Sequence, residues 1–292
     1  MTLTKKTHYN PCFWTAFWNH EYFCHDYRDS VSAREQSIYS LNLKGNKILK
    51  TKVEKVFYEK KMGLLELKFD DYLLFTEKYF PQEYKRVIKD SDNFFCNYVI
   101  DNENFFSAID DCHADFIRIV ISKNNITTTE EKCKVALFIV DIMIRNHKNF
   151  ERIRTTNKEA NRTDADFFWH FREHLTNPKF LLCLASPLIG SKWVIYATQN
   201  FKFPLCDTPV LLTNTNLMFA LSPKMLIEID FRKISSPDSR CNIKKNISNI
   251  KYREFMRRTI QNTHREIIFG NEDILKKWKE SEVYKNRINE LL

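Results

Sequence analysis

Glycine is scarce in this chain, with four residues in 292, beside eight prolines. Loops that cradle phosphates need glycine where the backbone closes on the ligand, so a P-loop or a dinucleotide-binding Rossmann fingerprint is excluded. Long apolar runs are lacking as well, and no stretch approaches the ~20 residues that span a bilayer. The opening Lys5-Lys6-Thr7-His8, continuing into Phe13-Trp14-Thr15-Ala16-Phe17-Trp18, is too short and too aromatic for a cleaved leader, and no small-residue cleavage site follows. The expectation is a cytoplasmic protein with no membrane partner. Eight cysteines carry no Cys-x-x-Cys pair, and in that compartment they read as reduced, mostly buried small apolar residues.

Apolar and aromatic residues are abundant. A hydrophobic fraction of 43% with 24 Phe gives material for one large core or two modest ones. Residues 36–53 alternate polar and apolar around Lys44-Gly45-Asn46, which predicts a β-hairpin. From Asp70 to about Arg154 the pattern is helical. Thr128 and Glu131 have capping-box spacing at the start of an apolar helix running to Met143, with Arg145 and His147 at its C-terminal end. Asp164 to Leu175 reads as a short helix stopped by Asn177-Pro178. Short apolar runs from Trp193 to Phe231 suit an antiparallel meander, and the tail from Ile250 is helical, with Gly270 as a C-cap.

These segments predict an α+β fold: an antiparallel sheet, made of the N-terminal hairpin plus the C-terminal meander, packed with a central helical region. Residues 1–292 are expected to form a single domain with subregions 1–60 (β-rich), 70–176 (helical), 190–232 (β-rich) and 250–292 (helical). Joining hairpin and meander in one sheet would bring His8 towards Asp207.

The net charge of +9 is uneven. Between Arg240 and Arg265 lie eight basic residues opposed only by Glu254. Lys251, Arg253, Arg257, Arg258 and Arg265 from this run are the candidate substrate-binding residues, because such a field attracts nucleic acid through counterion release. A solvated, solubilising helix face is the alternative use of the same charges.

His8, Arg145 and Asp207 are the candidate catalytic residues. The imidazole titrates nearest neutrality, Asp207 orients it or holds a divalent metal, and Arg145 makes bidentate contact with a phosphate or carboxylate. Each also has a plain structural use. His8 can end a strand, Asp207 can accept turn N–H groups beside Pro209, and Arg145 can neutralise its own helix terminus. Two metal readings are weighed beside these. His170-Phe171-Arg172-Glu173-His174 has the H-x-x-E-H spacing of a zinc hydrolase, and Cys12, His20, Cys24 and His25 are donors that suit zinc without a standard finger spacing. Tyr9, Tyr58, Trp193 and Ser222 are weaker companions.

The order of several short motifs resembles a known family. His8-Tyr9-Asn10-Pro11 with Phe13 and Phe17, Ile38-Tyr39-Ser40-Leu41, Phe57-Tyr58, Arg145, Trp193-Val194-Ile195-Tyr196, Asp207-Thr208-Pro209-Val210 and Leu221-Ser222-Pro223 follow one another as in the uncharacterised bacterial family catalogued as domain of unknown function 4238. That family usually has Ser-Asp-x-Pro where this chain has Cys206-Asp207-Thr208-Pro209. The resemblance implies a unit spanning nearly the whole chain and the candidate residues above, and it implies no mechanism. The functional expectation is a nuclease-like phosphodiesterase acting on RNA or DNA in a toxin or antiviral-defence setting, with a regulatory protein as a further partner. The alternative is a non-catalytic module binding nucleic acid or protein.

Overall fold

The computed structural model describes residues 6–24, 32–60, 64–89, 98–101, 103–160, 162–236, 241–244 and 246–291. In chain order, the first third supplies β1 (Lys6–His8), α1 (Cys12–Thr15), α2 (His20–Cys24), β2 (Ser37–Asn42), β3 (Lys47–Lys52), β4 (Tyr58–Lys60), β5 (Leu64–Leu67), α3 (Phe69–Tyr79), α4 (Pro81–Lys89) and β6 (Tyr98–Asp101). Five helices follow: α5 (Glu103–Lys123), α6 (Thr129–Arg145), α7 (His147–Glu159), α8 (Asp164–Thr176) and α9 (Pro178–Ile189). The last third holds β7 (Ser191–Ala197), β8 (Leu205–Cys206), β9 (Val210–Leu212), β10 (Asn216–Ser222), β11 (Met225–Ile234), β12 (Asn242–Lys244), α10 (Asn249–Asn262), β13 (Glu266–Phe269), α11 (Glu272–Glu280) and α12 (Glu282–Leu291). The fold is α+β.

The hairpin and the meander lie in two different sheets, which corrects the single sheet expected. One has the order β3-β2-β13-β8 and the other β12-β7-β11-β10-β9. The reason is β13. Its four residues are all buried, and both of its edges are paired, with β2 on one side and β8 on the other. The open edge of the hairpin is therefore satisfied by a strand from the C-terminal region instead of by the meander proper. Only the two residues of β8 leave the meander region to join this sheet.

Local chemistry accounts for the elements. The hairpin keeps the register Ser37↔Lys52 to Asn42↔Lys47, and Asn46 takes the left-handed turn conformation at φ 48°. At the start of α6, Thr128 and Glu131 form the reciprocal capping box. Strand β10 is buried along its whole length between β11 and β9, which explains its unbroken Leu-Met-Phe-Ala-Leu run. The N-terminal aromatics dock on this layer. Trp14 stacks on Phe219 at 5.1 Å and donates its indole N–H to the Leu221 carbonyl at 2.8 Å, while Trp18 donates to the Phe203 carbonyl at 2.7 Å.

The stop expected at Asn177-Pro178 is present, while the uninterrupted helical tail and the Gly270 cap are not. Asn177-Pro178 ends α8 and also starts α9, because Asn177 accepts the Lys179 and Phe180 N–H groups and Pro178 suits a first helical position. The helical tail is interrupted by β13. Gly270 is not a C-cap: a Cβ there would lie 2.2 Å from the Trp18 carbonyl oxygen, so glycine allows two backbones to touch. One apolar cluster runs from Tyr9 to Tyr284, and a small satellite of Leu67, Phe75 and Ala165 lies beside it. Among the described residues no helix is long and apolar enough to cross a membrane.

Candidate acid–base cleft at the N-terminal strand

His8 ends β1, where the register pairs it with Tyr58 of β4. It is 7% exposed, its Nε2 lies 3.2 Å from the Glu54 carbonyl oxygen, and its ring centroid lies 6.0 Å from that of Tyr58. The ring borders a cleft of about 300 Å³ whose lining includes Cys12, Arg34, Ser107, Asp110 and Asp111. Helix α5 supplies the two aspartates and the serine, so the cleft joins the first strand to the helical layer.

Behind Asp110 lies a buried ionic cluster. Arg145, wholly enclosed, places Nη2 at 2.7 Å from Asp110 Oδ1 and at 2.7 Å from Asp141 Oδ2. Its guanidinium also lies 5.6 Å from the centre of the Phe106 ring. His113 Nε2 is 3.9 Å from Asp141 Oδ2. Burial pushes the Asp110 carboxyl up to about 6, against the pull of Arg145. Burial likewise raises Asp141 and, with Arg145, lowers His113 to about 4. Burial works against the charge of Arg145, yet the two carboxylates hold it above its ordinary range. Among the described residues, Arg145 Nε and Nη1 and Asp141 Oδ1 have no hydrogen-bond partner.

Of the three expected catalytic residues, His8 lines the cleft and Arg145 stands one residue behind it, through Asp110. Asp207 is used differently. Its buried carboxylate accepts the His264 N–H at 3.0 and 3.2 Å and the Arg265 N–H at 2.5 Å, which ties off the turn between α10 and β13. Asn146 Nδ2 donates to its carbonyl at 3.0 Å. Burial pushes the carboxyl up to about 7 despite those backbone donors. Asp207 is connected to His8 through Arg265, whose Nη1 donates to the Tyr58 carbonyl at 3.0 Å, but it is not among the described residues lining the His8 cleft.

Glu266 reinforces this connection. Its carboxylate, raised by burial, accepts the Phe57 N–H at 2.9 Å and the Ser40 hydroxyl at 2.6 Å. Phe57 has a left-handed backbone at φ 53°, a costly conformation for a bulky residue that Glu266 helps to hold just before Tyr58.

The basic segment is less open than its composition suggests. Lys251 donates to Glu228 at 2.8 Å and to Glu254 at 2.7 Å, and Arg258 pairs with Glu254 and donates to Asn216 Oδ1 at 2.8 Å. Glu228 comes from β11, out of reach of any reading of the helix alone. Arg265 is occupied at Tyr58, whereas Arg253 and Arg257 are exposed. Arg240 and Lys245 lie outside the described residues.

Among the described residues the metal readings find no assembled site. His170 Nδ1 is 3.2 Å from Glu173 Oε2, and the His174 ring packs on Phe180 at 4.4 Å. Cys12 lines the cleft, His20 packs on Phe201 at 5.1 Å, and His25 lies outside the described residues. Among the described residues, no three His, Cys, Asp or Glu side chains are grouped to hold a metal ion. Tyr9, Trp193 and Ser222 are buried, and the Ser222 hydroxyl accepts the Lys224 N–H at 3.2 Å.

Sequence reasoning missed Asp110, Asp111, His113 and Asp141. Asp141 stands one helical turn before Arg145, a spacing that signals an ion pair. Asp110 is 35 residues away on another helix, and nothing local announces it. The comparisons with family models, curated proteins and solved structures return no match to this chain.

Proposed function

We propose that the chain is a nuclease-like hydrolase whose acid–base pair is His8 and Asp110. The observation that carries this reading is that an imidazole and a carboxyl pushed up to about 6 line one cleft, the carboxyl being ion-paired to a buried arginine. A carboxyl in that range still delivers a proton near neutrality, and the imidazole accepts one. In this scheme His8 takes the proton of the attacking water or hydroxyl, Asp110 protonates the leaving oxygen, and Arg34 at the cleft meets the phosphate. Arg145 is a positioning residue that acts through Asp110. Asp207 supports the turn behind the site instead of reacting.

The test is incubation of the purified chain with labelled RNA, single-stranded DNA and duplex DNA. Cleavage of at least one is expected, with a rate that falls as pH rises above about 6 and Asp110 loses its proton. His8→Ala and Asp110→Asn should each lower it by ~100-fold or more, the scale of a lost general acid or base. No cleavage of any substrate, or full activity in His8→Ala, overturns the reading.

A second reading, a binding module without chemistry, is favoured by the exposure of Arg253 and Arg257 on α10. It predicts salt-sensitive affinity for nucleic acid that charge reversal at those two positions weakens. The cytoplasmic location, the toxin or antiviral setting, a regulatory protein partner and descent from the domain of unknown function 4238 family belong to the same proposal and add no chemistry to it.

A further inference from the structure

A second cavity, of about 770 Å³, lies where α5 ends, between that helix, the end of β7 and the turn joining β10 to β11. From the cleft residue Asp110 to Lys123 the helix advances thirteen residues, roughly 20 Å at the α-helical rise, so the two sites lie towards opposite ends of one rod. The lining carries Lys123, Lys202 and Lys224 with no carboxylate among its described residues. Lys123 is partly neutralised by Glu131 at 2.9 Å. Lys224 stands 4.9 Å from the Phe23 ring and 5.4 Å from the Phe201 ring, contacts that place the ammonium without cancelling its charge.

The rest of the wall is rich in side-chain amides, including Asn124, Asn125 and Gln199. Asn124 has a left-handed backbone at φ 49°, donates weakly to the Thr198 carbonyl at 3.5 Å, and keeps its Oδ1 buried without a partner among the described residues. Asn125 Oδ1 accepts the Ile126 N–H at 2.7 Å, so that amide offers the cavity a donor. Cations at fixed positions take a phosphate, and amides, which donate and accept together, match the edge of a nucleobase. The volume lies within the range of small-molecule sites.

We infer that this cavity binds a nucleoside monophosphate, with Lys202 and Lys224 on the phosphate and the amides of Asn124, Asn125 and Gln199 on the base. The inference does not depend on chemistry at His8. Calorimetric titration of the full chain carrying His8→Ala, which removes the imidazole of the cleft, with AMP, GMP, CMP and UMP tests it. At least one should bind saturably, with its nucleoside and ribose 5-phosphate each bound at least tenfold more weakly. The double variant Lys202→Glu/Lys224→Glu should bind it at least tenfold more weakly while melting as the parent does. Binding of none of the four, equal binding of ribose 5-phosphate or inorganic phosphate, or unchanged affinity in the double variant overturns the inference.

Discussion

Helix α5 carries a cavity towards each end, and the two are built on opposite electrostatic terms. At the His8 end, charges are taken out of water and set against one another: Arg145 is enclosed between Asp110 and Asp141, and each of these groups is moved from its ordinary titration range. At the Lys224 end, three partly or fully exposed lysines line the cavity, and one of them, Lys224, lies over two aromatic faces. The first arrangement makes proton affinity a property of the fold. The second leaves charge available to a ligand at little cost to the fold.

Substitutions should separate the two ends, and the largest effect belongs to the enclosed cation. Arg145→Ala leaves the buried Asp141 and the partly buried Asp110 without their partner and should lower stability by about 3–5 kcal/mol, read from urea melts. A loss below 1 kcal/mol would mean that the cluster is wetter than its burial implies. The carboxylate behind the cleft comes next. Asp207→Ala strips the His264 and Arg265 N–H groups of their acceptor and should cost about 2 kcal/mol.

The titration prediction has a definite sign. Asp110 holds its proton more tightly in the folded chain than in the unfolded one, so its contribution is fully present below pH ~4 and is lost as pH rises towards about 6. Asp207, pushed up to about 7, acts in the same direction over a wider window. The difference in unfolding free energy between the parent and Asp110→Asn should therefore change between pH 4 and 6 by ~1–3 kcal/mol. A flat difference would show that Arg145 fully offsets the burial of Asp110. The smallest effect is expected at the other end, where Lys202→Ala and Lys224→Ala should each shift stability by no more than ~0.5 kcal/mol.

What the sequence disclosed follows the range of the interactions concerned. The capping box at Thr128 and Glu131, the hairpin around residues 43–46 and the α+β class rest on neighbours a few positions apart, and each was legible. Strand β13 was not, because four residues between two helices carry too little pattern to outweigh the helical tail. Asn177-Pro178 announces the stop of α8, whereas its second use as the start of α9 has no apolar periodicity to advertise it. Within the cleft, His8 stood out as an isolated titratable group. Asp110, which lines the same cleft, is one of four acidic residues on an amphipathic helix, and only the packing of α5 against α6 sets it apart. The partial neutralisation of the basic run is hidden for a related reason, since Glu228, which pairs with Lys251, belongs to a distant strand.

The position of β13 bears on how the molecule is made. Its partners are synthesised at residues 37–42 and 205–206, and the strand that joins them emerges from the ribosome only after residue 269. Until then the nascent hairpin has an unpaired edge, and the Trp18 carbonyl lacks the glycine that packs against it. Assembly of this sheet is therefore a long-range event, and the hairpin edge stays open to mispairing until β13 has been made.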